Sequence, residues 1–99
     1  MTYEEFVESL EQTVSPEEIT AQLRALWWER KGDWERAHGM VQDMMCDESS
    51  WIHAYLHRRE GELDNAGYWY RLAKRPPSTD SLDEEWEQIV LHCLTLCPC

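Results

Sequence analysis

The stretch Ala25-Leu26-Trp27-Trp28-Glu29-Arg30-Lys31-Gly32-Asp33-Trp34-Glu35-Arg36-Ala37 returns 29 residues later, in outline, as Ala54-Tyr55-Leu56-His57-Arg58-Arg59-Glu60-Gly61-Glu62-Leu63-Asp64-Asn65-Ala66. Alanine falls on alanine at both ends, Arg30 on Arg59, Gly32 on Gly61 and Trp34 on Leu63. Further along, Val41 falls on Tyr70 and Met44 on Ala73. Each match has a physical reason. Small residues let two helix backbones approach closely. Glycine takes the left-handed reversal that costs other residues about 1–2 kcal/mol. The large residue two places later is expected to pack back into the hairpin. The pattern predicts a repeated helical hairpin, a unit that buries its apolar face by stacking on its neighbours.

Start and stop signals extend the helices outward from this repeat. Thr2 with Glu5 forms a capping box, and Tyr3, Phe6, Val7 and Leu10 continue a helical stripe to about Gln12. Ser15-Pro16-Glu17-Glu18 predicts the start of a second helix that runs to Gly32. A third is expected over Asp33–Met45, and a fourth from the polar run Asp47–Ser50 to Gly61. A fifth carries Leu63, Ala66, Tyr70 and Ala73 and is stopped by Pro76 and Pro77. Pro76–Asp80 reads as a linker. Ser81 with Glu84 then opens a last helix with Leu82, Trp86, Ile89, Val90 and Cys93 on one face. No segment alternates as a strand does. The expected fold is all-α, a single domain over 1–99 of five to six antiparallel helices.

Small residue, aromatic, turn glycine, aromatic, then alanine and aromatic in the second helix is the order found in the tetratricopeptide repeat, which these hairpins resemble. The first unit supplies Ala25, Trp28, Gly32, Trp34, Ala37 and Val41. The second supplies Ala54, His57, Gly61, Leu63, Ala66 and Tyr70, with Pro76 or Pro77 closing it. The spacing of 29 is shorter than that family's usual repeat of about 34, and histidine stands at position 57 where an aromatic is usual. The resemblance implies an α–α superhelix with hairpins at 15–46 and 47–77, an N-terminal capping helix at 1–14, and a C-terminal capping helix and tail at 78–99. The chain also resembles a group of small bacterial proteins carrying Trp-Trp, Gly-Asp-Trp and His-Ala-Tyr-Leu-His-Arg segments, which implies no activity.

Twenty acids against nine bases give a net charge of −11. Nucleic acid is excluded as a partner on this balance, because phosphate attraction needs a positive surface. The charge is uneven. Residues 1–20 hold six acids and no base, 78–99 hold five acids and no base, and 21–77 balance nine against nine. The acidic start is unlike a signal peptide, and no run reaches the roughly 18–20 apolar residues of a membrane span. A cytoplasmic protein without membrane contact is therefore expected. Cys93, Cys97 and Cys99 crowd the last seven residues, where a disulfide or a metal held with His92 is an alternative to incidental thiols.

Two constellations are candidates for function. In tetratricopeptide folds the first helices of successive hairpins line a concave groove. By position, that groove would display Gln22, Leu26, Glu29 and Arg30 from one unit, and Trp51, Tyr55, Arg58 and Arg59 from the next. Aromatics beside arginines dominate binding hot spots, and arginines clamp carboxylates. The bland alternative is that these arginines pair with Glu29, Glu60 and Glu62 on a solvated surface, where a pair is worth about 0–1 kcal/mol. The second constellation is His53 and His57, one helical turn apart on one face, with Glu60 a further turn on and His38 or Asp64 on the neighbouring helix. It offers a metal-dependent or acid–base centre, against the alternative of neutral, hydrogen-bonded core histidines. HExxH, nucleophile-elbow and phosphate-loop motifs are missing from the sequence. The expectation is thus a non-catalytic interaction module that binds a protein or peptide and needs no cofactor. Tyr68-Trp69-Tyr70 cannot all enter one core, so a homodimer or the last helix is expected to cover part of it.

Overall fold

Six helices and no strand make up the described residues, 1–95, of the computed structural model. They are α1 (Tyr3–Ser9), α2 (Ala21–Arg30), α3 (Trp34–Val41), α4 (Asp47–Arg59), α5 (Leu63–Leu72) and α6 (Leu82–Thr95). No helix among them is long and apolar enough to cross a membrane. The most extensive packing joins α2 to α3 and α4 to α5. Buried Ala25, Ala37, Ala54 and Ala66 keep the helices close within these two hairpins.

Glycine closes both hairpins as the repeat demands. Gly32 and Gly61 stand at φ of 93° and 78°. At the first, the amides of Gly32 and Asp33 donate to Glu29 and Trp28 carbonyls at 2.9 Å each. At the second, Gly61 and Glu62 donate to Arg58 and His57 at 3.0 and 2.9 Å. Both are Schellman closures, which satisfy the last orphan carbonyls of a helix. α5 ends the same way without a glycine. Lys74 takes the left-handed turn at φ 62°, and Arg75 donates to Tyr70 at 3.0 Å. The helix is therefore already closed before Pro76 and Pro77.

The boxes at Thr2–Glu5 and Ser81–Glu84 form as expected, each with two reciprocal bonds. The expected start at Ser15 does not. α2 begins at Ala21, capped by Thr20, whose hydroxyl accepts from the Leu23 amide at 3.3 Å. Arg24 explains the difference. It reaches back to donate to Ser15 Oγ and to the carbonyls of Pro16 and Glu17, which fixes 15–19 as a turn. α1 stops at Ser9, and Lys31 Nζ donates to the carbonyls of Leu10 and Gln12 beyond it. α3 ends at Val41, short of Met45, which is 94% exposed.

α6 decides the architecture. It lies against α4 and α2, with α1 packed on it. Trp86, Ile89, Val90 and Cys93 enter the core, where Phe6 stands 6.0 Å from the Trp86 ring. The chain's last helix thus covers the α2–α4 face. One consequence falls on the repeat itself. Trp34 is half-buried and donates its indole N–H to the Leu56 carbonyl of the following hairpin at 2.8 Å. Its counterpart Leu63 has no following hairpin and is 68% exposed, so it does not pack as the repeat predicts. Tyr68 is half exposed, whereas Tyr70 is buried and Trp69 lies partly against the core.

Candidate functional site

The eight residues expected to line a groove are divided between α2 and α4, and the space between these helices is closed. Gln22, Leu26, Glu29, Trp51 and Tyr55 are buried. Gln22 donates to Ser49 Oγ at 3.4 Å, within the helix pair. The expected opening beside Tyr55 is filled by α6, because the apolar face of that helix has nowhere else to be buried.

Two carboxylates satisfy the polar groups that α4 presents. The first is Glu29 of α2, which accepts from Tyr55 Oη at 3.0 Å and pairs with Arg59 Nε at 2.9 Å. Burial raises the Glu29 pKa, against the opposing pull of Arg59. Burial, then the Glu29 charge, pushes the Tyr55 phenol above its usual range. The second is Glu85 of α6, which is fully buried. Glu85 accepts from Trp51 Nε1 at 3.0 Å, Tyr70 Oη at 2.6 Å and Arg58 Nη1 at 2.9 Å. Arg58 also donates to the Asp80 carbonyl, tying down the linker that precedes α6.

Arg30 completes the grip on α6. It pairs with Asp83 at 3.0 Å and stacks its guanidinium 4.2 Å from the centre of the Trp86 ring. Trp86 in turn donates its indole N–H to the Leu26 carbonyl at 3.1 Å. Arg75 covers the other end, 3.5 Å above the Trp51 ring. Of the aromatics and arginines picked out in the sequence, Trp51, Arg58 and Arg30 therefore hold an acidic, tryptophan-bearing helix that is the chain's own, while Tyr55 and Arg59 are tied to Glu29 of α2. Sequence reasoning missed its half of the contact. The signal was Glu85 itself, an acid at i+3 from Leu82 and i−4 from Ile89, inside an otherwise apolar stripe.

The histidine pair lies on the opposite side of α4. His53 and His57 are buried, with their rings stacked 5.0 Å apart. Glu60 is not their partner: it is the exposed C-cap of α4. His38 of α3 approaches instead, its Nε2 2.8 Å from His53 Nε2. Glu62, after the Gly61 turn, reaches His57 Nδ1 at 2.8 Å. Asp64 is not among the grouped ligands, which are His38, His53 and His57. Burial, then the neighbouring His38 and His57, together lower the pKa of His53 to about 4; burial likewise lowers that of His38.

Of the C-terminal thiols, Cys93 is free and buried, and burial pushes its pKa up to about 12, which leaves it protonated and inert. His92 is engaged with Glu48 at 3.0 Å. The expectations for Cys97 and Cys99 lie outside the described residues. No protein family, curated protein or solved structure matches this chain.

Proposed function

We propose that this chain is a small, non-catalytic protein-interaction module of two tetratricopeptide-like hairpins, whose α2–α4 groove takes an acidic helix bearing a tryptophan. α6 is the resident copy of that ligand, and a partner helix with the same pattern competes for its place. The observation that carries this reading is the pairing of Arg30 with Asp83 and Arg58 with Glu85, on either side of the seated Trp86. Charge complementarity sets the ligand's sign, because the hairpins contribute the arginines and the helix contributes the acids. Residues 75–79, without helix or turn, join α5 to α6, so α6 can exchange without unwinding α5.

The test uses a labelled peptide of the α6 sequence, residues 79–95, added to the full chain. A linker this short holds the resident helix at an effective concentration on the order of millimolar. The unaltered chain is thus expected to bind the peptide only weakly. A chain carrying Trp86→Ala, which loosens the resident helix, is expected to bind it saturably. Adding Arg58→Glu removes that binding. If the Trp86→Ala chain keeps its helical circular dichroism yet binds no peptide, the groove is a core and not a binding site. Ile89→Ala serves the same purpose if Trp86→Ala does not fold.

A further inference from the structure

Three imidazoles converge on the far side of α4, away from the groove. One ring nitrogen from each of His38, His53 and His57 lies within 4.8 Å of the other two. We propose that these three side chains bind one divalent transition-metal ion of the zinc class, with Glu62 as the positioning residue for His57.

The geometry of the pair His38–His53 is the starting point. Their Nε2 atoms face each other at 2.8 Å. Between two neutral rings only one of these nitrogens can carry the proton, so a cation between them engages both lone pairs. Zn–N bonds of about 2.0–2.1 Å in tetrahedral geometry separate two ligand nitrogens by about 3.3 Å. His38 and His53 need to part by about half an ångström to admit the ion, and His57, whose nitrogen lies within 4.8 Å of theirs, needs to move in by up to about 1.5 Å.

His57 supplies the third nitrogen. Its Nδ1 is held by Glu62 Oε1 at 2.8 Å, which fixes a proton there and leaves Nε2 bare. A carboxylate behind a ligating histidine is the usual outer partner of a metal site, and it raises the basicity of the ligand. Trp34 stacks on His38 at 4.9 Å and Trp69 on His53 at 3.7 Å. The two indoles lock the rings in place and give the site an apolar wall. His53 Nδ1 is buried with no hydrogen-bond partner among the described residues. Three imidazoles select zinc, cobalt, nickel or copper over the oxygen-seeking magnesium and calcium.

The test adds Zn²⁺, and Co²⁺ for its visible spectrum, to the full chain purified without a histidine tag. One equivalent is expected to bind, with tetrahedral cobalt bands and a rise in Tm. Glu62→Gln is expected to weaken binding about 10–100-fold. His38→Gln, at the half-buried ring, is expected to abolish both the stoichiometric binding and the cobalt bands while helix content is kept. His57→Gln provides the same reading if that variant fails to fold. His92→Gln and Cys97→Ser are expected to leave the stoichiometry and affinity of metal binding unchanged. Failure of the unaltered chain to bind either ion overturns the proposal. So does undiminished binding in the His38 and Glu62 variants, or binding lost with Cys97→Ser.

Discussion

Removing the Glu85 carboxylate is the sharpest perturbation this fold offers. In Glu85→Ala the indole N–H of Trp51 and the hydroxyl of Tyr70 lose their acceptor inside the protein. Each buried donor left unpaired costs about 1–3 kcal/mol. The third partner, Arg58, keeps some access to water, with 19% of its side chain exposed, so its share is smaller. Together these give about 3–5 kcal/mol, the range for breaking a buried ion pair from one side. For a domain of this length each kcal/mol moves Tm by about 4–8 °C, so Tm is expected to fall by about 12–40 °C. Glu85→Gln keeps the shape and one acceptor but places an amide against Arg58, and is expected to cost about 1–3 kcal/mol. Urea unfolding followed by tryptophan fluorescence and circular dichroism measures each variant. A cycle pairing Glu85→Gln with Arg58→Met is expected to show a coupling of about 0.5–3 kcal/mol. A Glu85→Ala loss within about 0.5 kcal/mol, as for an ordinary surface site, together with no coupling, would refute the assigned role of α6.

Three further outcomes follow from local geometry. The hydrogen bond from His92 holds the Glu48 pKa below its ordinary 4.5. Ionised Glu48 therefore contributes stability above that pH, and the contribution is lost as pH falls through the lowered folded-state value. The stability gap between the unaltered chain and His92→Gln is expected to be present above the ordinary Glu48 value of 4.5 and to close as pH falls below it, in urea melts at each pH. At the turns, Gly61→Ala is expected to cost about 1–2 kcal/mol through its φ of 78° alone, since nothing lies within 4 Å of the added carbon. Gly39→Ala, with ordinary helical geometry and equal space, is expected to gain about 0.5–1 kcal/mol. Thermal melts of the pair separate backbone strain from helix propensity.

Local chemistry was legible in the sequence wherever it acts over a few residues. The Thr2–Glu5 and Ser81–Glu84 boxes and the closures at Gly32 and Gly61 each depend on neighbours within one turn. Ser15-Pro16-Glu17-Glu18 carried the same local signals, and there a long-range competitor won: Arg24 claims the oxygen atoms of that segment from inside α2. The candidate sites were legible by residue type and not by partner. Trp51, Arg58 and Arg30 lie on α4 and α2, yet what they touch depends on the path of α6 across those helices, which no spacing encodes. His53 and His57 share a face by helical geometry. The approach of His38, however, depends on how α3 is rotated against α4, and the choice of Glu62 over Glu60 depends on the chain's reversal at Gly61.

The seating of α1 on α6 has an electrical consequence. The two ends of the sequence that hold all the excess acid are neighbours in space, with Tyr3 of one bonded to Glu87 of the other at 3.4 Å. The molecule is therefore polarised. One lobe carries the negative potential, and the paired hairpins behind it are close to neutral. A positively charged body diffusing toward the protein is drawn to the α1–α6 lobe first, with an encounter rate that salt suppresses. The side that receives such a body is the side where the resident helix lies.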